Sequence, residues 1–361
     1  MTEKSFTQRV TVVVPSYQPD EKLCRIVAEL ENEGFDDIIV INDGSSPDKK
    51  AFFPDPKEHP AVTLLEHEVN RGKGAALKTA FEYFLANRPD RAGVVTADGD
   101  AQHRAADVAA CSRLMVEKDA PVLGVRNFDL EHVPAKSRMG NKITSTVFLL
   151  LCGLKISDTQ TGLRAIPASY LGELCQVDGD RYEYETNMLL EMKRLGASWL
   201  EQKIETVYID ENQTSHFRPV IDSIRIYALI LKFVCSSGIS AVVDLLLFYL
   251  LKKFLSPVLP VLPVLIPTVI ARAVSSATNF TINRKAVFKS GESVVRTCLK
   301  YYALAIPVLL ISAGTVRLLS DTLDVQAPAL ATLIKMVVDT VLYFINFRIQ
   351  REWVFAPRRK K

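Results

Sequence analysis

Two carboxylates, an amide and an imidazole are gathered in Thr96-Ala-Asp-Gly-Asp-Ala-Gln-His103, directly after the apolar run Ala92-Gly-Val-Val95. In an extended chain alternate side chains share one side. Asp98, Asp100 and Gln102 are therefore expected to project together, while Gly99 and Ala101 leave room between them. Three such oxygen donors suit a hard divalent cation, Mg2+ or Mn2+, which takes its other ligands from water and substrate phosphates. The competing reading is an acidic turn capping a helix that starts near Arg104, since Asp-Gly is a common turn dipeptide.

A second feature lies upstream. Asn70-Arg-Gly-Lys-Gly-Ala-Ala-Leu-Lys78 puts glycines at an expected helix N-terminus, where the backbone can approach an anion closely. The run lacks P-loop spacing. Beside a metal it points to a diphosphate, with Lys73 among the donor contacts.

These residues need elements to position them. Arg9–Val14, Asp37–Ile41, Val62–Leu65, Gly93–Thr96 and Pro121–Val125 read as strands. Helical patterns over Asp20–Glu33 and about 72–87 and 104–118 alternate with them. Such alternation predicts an α/β fold, a mostly parallel sheet with helices on its faces and ligands at the carboxyl ends of its strands. Polar segments stand at three of those ends: Pro15-Ser-Tyr-Gln-Pro-Asp20, Asn42-Asp-Gly-Ser-Ser46 and the Asp98 cluster. The Asn42 segment by itself is accounted for by a turn; three polar sites on one edge predict a pocket.

Composition changes along the 361 residues. Residues 1–220 read as a soluble domain and 221–361 as an all-α membrane domain. The latter has apolar segments at about 226–251, 259–282, 301–319 and 328–347. Each is close to the ~20 residues that span a bilayer as a helix. Arg284, Lys285, Lys289, Arg296 and Lys300 lie between the second and third segments, and Arg348, Arg351, Arg358, Arg359, Lys360 and Lys361 follow the fourth. Ser320–Val325 has no Lys or Arg, whereas Lys252 and Lys253 run against the pattern. The balance predicts a multi-pass cell-membrane protein with its soluble domain and both termini in the cytoplasm. Met1–Arg9 is polar and has no signal-peptide pattern. The six cysteines, scattered without metal-ligand spacing, read as reduced packing residues. The formal charge is only +3, with basic residues concentrated beside the membrane, so no nucleic-acid partner is expected.

The ordered set Val-Pro-Ser-Tyr17, Asn42-Asp-Gly-Ser-Ser46, Asn70-Arg-Gly-Lys-Gly74, Asp98-Gly-Asp100 with Gln102-His103, Ser137-Arg-Met-Gly-Asn-Lys-Ile-Thr144 and Asp158-Thr-Gln-Thr-Gly-Leu-Arg164 resembles glycosyltransferase family 2. The likeness is to enzymes of the dolichyl-phosphate mannose and glucose synthase type and spans about Val10–Phe217. It implies a GT-A fold, a UDP- or GDP-sugar donor and a polyprenyl-phosphate acceptor. It also implies that Asp43 contacts the nucleotide, that Pro15, Tyr17 and Asp20 contribute to the donor site, and that Asp98, Asp100 and Gln102 hold the metal on the diphosphate. Where the family usually reads Tyr-Asn-Glu and Asp-Asp-Gly-Ser, this chain has Tyr17-Gln-Pro-Asp20 and Asn42-Asp-Gly-Ser45.

The expected reaction is inverting transfer of one sugar to a lipid phosphate, with Asp98, Asp100, Arg126 and Arg138 as catalytic residues. The acceptor is already a nucleophile, since a phosphate monoester has a second pKa near ~6. Arg126 and Arg138 are expected to grip its phosphate, as guanidinium forks can. Arg164 and His216 are further candidates, and Glu183 and Glu185 read as helix N-terminal charges. Pro219–Tyr227 leads into the first span and is expected to hold the site at the bilayer. Two alternatives stand beside this reading. One is a processive polysaccharide synthase, against which Gln350-Arg-Glu-Trp353 has neither the spacing nor the location of the Gln-x-x-Arg-Trp motif. The other makes the membrane half a glycolipid flippase or carrier. A homo-oligomer is left open.

The membrane half resembles GtrA-like four-helix domains and contains a repeat. Asn279-Phe-Thr-Ile-Asn-Arg-Lys-Ala-Val-Phe288 recurs as Asn346-Phe-Arg-Ile-Gln-Arg-Glu-Trp-Val-Phe355, 67 positions later. Leu231-Lys-Phe233 recurs as Leu299-Lys-Tyr301, which makes the unit a two-helix hairpin used twice in one orientation. Arg272 and Asp339 each precede their Asn by seven residues and so share a depth. Opposite in charge, they are expected to pair between the second and fourth spans, with Lys335 competing for Asp339. The alternative is that Arg272 snorkels to the headgroups.

Overall fold

The computed structural model describes residues 5–128, 133, 135–149, 153–205, 228–255, 265–288, 290–323 and 328–356. Contacts divide the chain into two compact units, Met1–Ile226 and Tyr227–Lys361. His216 and Pro219–Tyr227 lie outside the described residues.

The first unit is built on seven strands: Val10–Ser16 (β1), Ile38–Asp43 (β2), Val62–His67 (β3), Gly93–Thr96 (β4), Val122–Arg126 (β5), Arg164–Pro167 (β6) and Leu200–Ile204 (β7). Their order is β3-β2-β1-β4-β6-β5-β7. The unbroken β-branched runs of β1 and β2 are buried because helices cover both faces of the sheet. On one face Leu23, Ile26, Val27 and Leu30 of Lys22–Asn32 (α1), spaced as one helical stripe, pack on Val10, Val12 and Val14 together with Val108 and Met115 of Ala105–Lys118 (α3). On the other, Ala76, Ala80, Phe81 and Phe84 of Lys73–Asn87 (α2) meet Val13, Ile39 and Ile41. Ala168–Cys175 (α5) and Glu183–Arg194 (α6) complete that layer through Leu171, Leu174, Tyr184 and Met188.

The pairings β1–β2, β1–β4, β2–β3 and β5–β7 are parallel. β6 runs antiparallel between β4 and β5, a reversal that strand–helix alternation alone does not announce. It brings the polar loop before β6 against the end of β4. Ala135–Val147 (α4) follows β5 and carries the Ser137–Thr144 motif.

The second unit contains Ala228–Leu255 (α7), Leu265–Ile282 (α8), Val294–Thr322 (α9) and Pro328–Ile349 (α10). Among the described residues, Leu231–Leu251 and Val294–Thr322 are long and apolar enough to cross a membrane by length and composition. α8 and α10 correspond to the second and fourth apolar segments expected from the sequence. Large apolar side chains such as Leu245, Leu246, Phe254, Leu309 and Leu310 are exposed on these helices, a surface suited to lipid.

The repeat becomes a pseudo-two-fold arrangement. α8 and α10 both end in π-turns, Asn283–Val287 and Gln350–Val354. The equivalent residues Asn283 and Gln350 meet at the centre, where Asn283 Nδ2 donates to Gln350 Oε1 at 3.1 Å. Phe288 stacks on its equivalent Phe355 with centroids 5.3 Å apart. Around them Phe233 meets Phe347 at 4.9 Å, and their equivalents Tyr301 and Phe280 meet at 5.5 Å, both edge-on. Edge-to-face rings gain beyond burial alone, so the recurring aromatics cement the two hairpins together.

The expected pairing of Arg272 with Asp339 is not what forms. Arg272 Nη2 lies 3.3 Å from Asp244 Oδ2, and Ser275 Oγ donates to Asp244 Oδ1 at 2.9 Å. Asp339 instead takes Lys335 of its own helix and Ser312 Oγ. Depth alone does not single out Asp244, which sits on α7, the hairpin partner of α8. Ser312 is to Asp339 what Asp244 is to Arg272, so each hairpin carries its own clasp.

Candidate active site

β4 ends at Thr96, whose Oγ1 donates to Gly162 O at 2.6 Å and so joins the strand to the loop before β6. The chain then turns instead of staying extended. Ala101 has φ +59°, and the Gln102 N–H donates to Asp100 Oδ1 at 3.1 Å. The expected same-side alternation of Asp98, Asp100 and Gln102 is therefore corrected: the Asp-Gly turn chemistry shapes this segment. Asp98 and Asp100 nonetheless stay within electrostatic reach. Burial, and next the Asp98 charge, push Asp100 above the ordinary carboxylate range. The Asp98 N–H donates to His103 Nδ1 at 3.1 Å, which fixes the start of the turn. Gly162 backs the site, since a Cβ there would lie 2.4 Å from Asp98 Oδ2.

Lys73 opens α2, and its Nζ lies 2.7 Å from Asp98 Oδ1 and 3.0 Å from Glu185 Oε1. Burial pulls the ammonium down, but the two carboxylates outweigh it and hold Lys73 above the usual lysine range. For Asp98, burial raises the pKa, and Lys73 and then His103 overcome it to leave the carboxyl at about 2. Gly72 at φ +103° makes the turn into α2. That turn is braced by Asp43: Oδ1 accepts the Arg71 N–H at 2.9 Å and Oδ2 the Gly72 N–H at 2.8 Å. His67 Nδ1 bonds Asp43 Oδ1 at 2.7 Å and its Nε2 meets Thr79 Oγ1 at 3.0 Å. Asp43 is thus buried with both oxygens committed to the protein itself.

Arg126, at the end of β5, makes a two-point contact with Asp158: Nε to Oδ2 at 2.7 Å and Nη2 to Oδ1 at 3.1 Å. Asp158 is fully buried, so this pairing compensates a charge that could not otherwise be left there. The Arg126 guanidinium also lies 5.1 Å from the Phe128 ring centre, and Arg138 Nε donates to Phe128 O at 3.0 Å. The two arginines thus share one neighbour. Arg164, expected at the acceptor, is instead buried beneath the site, bonded to Thr161 O and Glu185 O with Nη2 unpartnered. Its burial is what removes it from a surface acceptor role.

Of the remaining donor candidates, Pro15 lies in β1 opposite Ile41, just past the last β4 partner of that strand, where a missing N–H is tolerated. Tyr17 is 36% exposed. Asp20 Oδ1 accepts the Lys22 N–H at 2.9 Å in an Asx turn at the entry to α1. Three contributors escaped the reading of the sequence. Asp158 stands inside the Asp158–Arg164 motif with no local sign of its partner, Glu185 reads in sequence only as a helix-end charge, and His67 has no local signal. Among the described residues no three His, Cys, Asp or Glu side chains form a metal site by themselves.

Residues 11–173 match the family model of glycosyl transferase family 2, and residues 232–355 that of the GtrA/DPMS transmembrane domain. An uncharacterized protein of Methanocaldococcus jannaschii is 29% identical over 206 residues, 56% of this chain and 82% of that relative. The UDP-N-acetylglucosamine–dolichyl-phosphate N-acetylglucosaminyltransferase of Methanococcus voltae is 26% identical over 219 residues, 56% of this chain and 86% of that relative. Mannosyl-3-phosphoglycerate synthase from Rubrobacter xylanophilus, a solved structure 17% identical, covers 62% of this chain and 72% of its own with a TM-score of 0.46. Motifs, sheet and both family matches agree: the chain is a family 2 glycosyltransferase that carries a GtrA/DPMS transmembrane domain.

Proposed function

We propose that the chain transfers a single sugar, with inversion, from a UDP- or GDP-sugar to polyprenyl phosphate, undecaprenyl or dolichyl, at the cytoplasmic face of the cell membrane. The product is a polyprenyl-phosphate sugar that serves cell-envelope or glycoconjugate glycosylation. The observation that carries the reading is the gathering of Lys73, Asp98 and Glu185 at the carboxyl edge of the sheet, with Arg126 close enough for its charge to act on Asp98. The dolichyl-phosphate transferase relative of Methanococcus voltae supports the lipid acceptor.

The donor set fits a divalent cation. Asp98 and Asp100 are two recessed carboxylates, and burial with the Asp98 charge makes Asp100 costly to ionise unless positive charge arrives. Asp98, Asp100 and Gln102 would hold Mg2+ or Mn2+, which when bound supplies charge neutralisation at the leaving diphosphate. Lys73 contacts that diphosphate, and the Asp43 brace keeps Lys73 in place. Arg138 and Arg126 bind the acceptor phosphate, Arg126 with its orientation set by Asp158. No strong base is required, because the phosphate is ionised near neutral pH. Gln350, buried and bonded to Asn283, is committed to packing, which favours single transfer over processive synthesis.

The test is a panel of labelled nucleotide sugars with polyprenyl phosphate, its products resolved by mass spectrometry. One sugar on a chloroform-soluble lipid is expected. A polymer, or no lipid product from any donor, overturns the proposal.

A further inference from the structure

Lys73 rests against a carboxylate that the metal reading also requires. Its Nζ is 2.7 Å from Asp98 Oδ1 and 3.0 Å from Glu185 Oε1, with side chains only 19%, 31% and 13% exposed for Lys73, Asp98 and Glu185. The helix does not hold the ammonium there, because the positive end of the α2 dipole disfavours a cation in the first turn. The two carboxylates do. The missing side chain at Gly162 is what lets Asp98 Oδ2 sit beside that backbone, since a Cβ there would lie at 2.4 Å.

We propose that Lys73 is the resident counter-ion of Asp98 in the donor-free enzyme, where it competes with the divalent cation, and that Glu185 is the positioning residue that receives Lys73 when cation and donor arrive. The inference rests on the reading of Asp98 and Asp100 as the metal site. No covalent bond changes; charges exchange partners. A lysine ammonium has three donors, so one bond to Glu185 leaves two for diphosphate oxygens. Glu185 suits the role because Arg164 holds the α6 turn that carries it, through its bond to Glu185 O at 2.6 Å. The exchange would link the arrival of the metal to the readiness of the donor site.

Two affinities test this in the full-length protein in detergent: Mn2+ alone, followed by electron paramagnetic resonance of the free ion, and inorganic pyrophosphate at saturating Mn2+, followed by calorimetry. Lys73→Met is expected to bind Mn2+ alone roughly tenfold more tightly, because a unit positive charge beside the site is removed, and pyrophosphate roughly tenfold more weakly. Glu185→Gln leaves Lys73 leaning on Asp98 alone and should weaken Mn2+ binding, a loss that shrinks in the double variant if the two residues act together. Lys73→Met leaves two acids facing each other; should it fold poorly, Lys73→Met/Glu185→Gln relieves the repulsion and should still bind Mn2+ more tightly than the parent. Unchanged or weaker Mn2+ binding in both Lys73 variants, with Asp98→Asn abolishing it, overturns the competition while sparing the metal site. An equal Glu185→Gln effect with and without Lys73 overturns the positioning role. Failure of the parent to bind Mn2+ overturns the metal reading and this inference with it.

Discussion

Asp43 offers a direct separation of two roles. A nucleotide contact would lose donor affinity on substitution and leave the fold unchanged, whereas the brace described above must also cost stability. In Asp43→Asn one carboxylate oxygen becomes an amide that donates and cannot accept. Whichever way the amide turns, it faces either the Gly72 N–H or the Arg71 N–H together with His67, all bonded to Asp43 at 2.7 to 2.9 Å. At least one buried N–H then loses a charged acceptor, a loss of about 2 to 3 kcal/mol. For a domain of this size that lowers the melting temperature by about 4 to 12 °C. The chain has two tryptophans, Trp199 in the first unit and Trp353 in the second, so a Trp353→Phe background leaves Trp199 fluorescence to report the first unit alone. Trp353 is 45% exposed, which makes that background mild. The expected result is a lowered transition together with a raised donor KM, because the turn before Lys73 loosens. A transition unchanged within about 1 °C, beside a raised donor KM, would refute the brace and return Asp43 to direct nucleotide contact.

Asp98→Ala and Asp100→Ala should each abolish transfer while the protein stays folded; wild-type rates in either, or full parental activity in excess chelator, would sink the metal assignment. Arg138→Ala should raise the acceptor KM with donor affinity kept, as measured by calorimetry, while Arg126→Ala should in addition destabilise the first unit by about 3 kcal/mol because Asp158 is left buried and unpaired. Equal stability of the two arginine variants in denaturant would show that the Asp158 contact contributes nothing to the fold. In the membrane unit, Arg272→Asp or Asp244→Arg alone should reduce folded protein in membranes, and the double exchange should recover much of it. Recovery by the exchange of Arg272 with Asp339 instead would contradict the clasp within the first hairpin.

Much of this protein was legible in one dimension. Strands of continuous Val and Ile, helices with an apolar stripe, and apolar segments of membrane length are local patterns, because burial acts on side chains at the period of the element that carries them. The doubled Asn-Phe motif likewise disclosed the two-hairpin repeat, since equivalent packing demands equivalent residues. The sequence by itself therefore determined the α/β class, the polar strand ends from Pro15 to Asp98, and the two-part organisation of motifs.

Partners were a different matter. Charge depends on distance, and distance between remote residues is created only when the chain folds. Asp98 and Lys73 stand on different elements, and Glu185 follows on a third; nothing in their spacing pairs them. The antiparallel β6 decided that the Asp158–Arg164 loop lies against Asp98, sending Arg164 inward and locking Arg126 onto Asp158. The local turn preference of Asp-Gly overrode the extended geometry that had aligned Asp98 with Gln102. In the helical unit Arg272 found Asp244 on its hairpin neighbour, because attraction falls with distance and the nearer opposite charge wins over one matched by depth alone. Sequence specified which groups exist and on what periodicity; only the tertiary structure set the short distances over which their charges act.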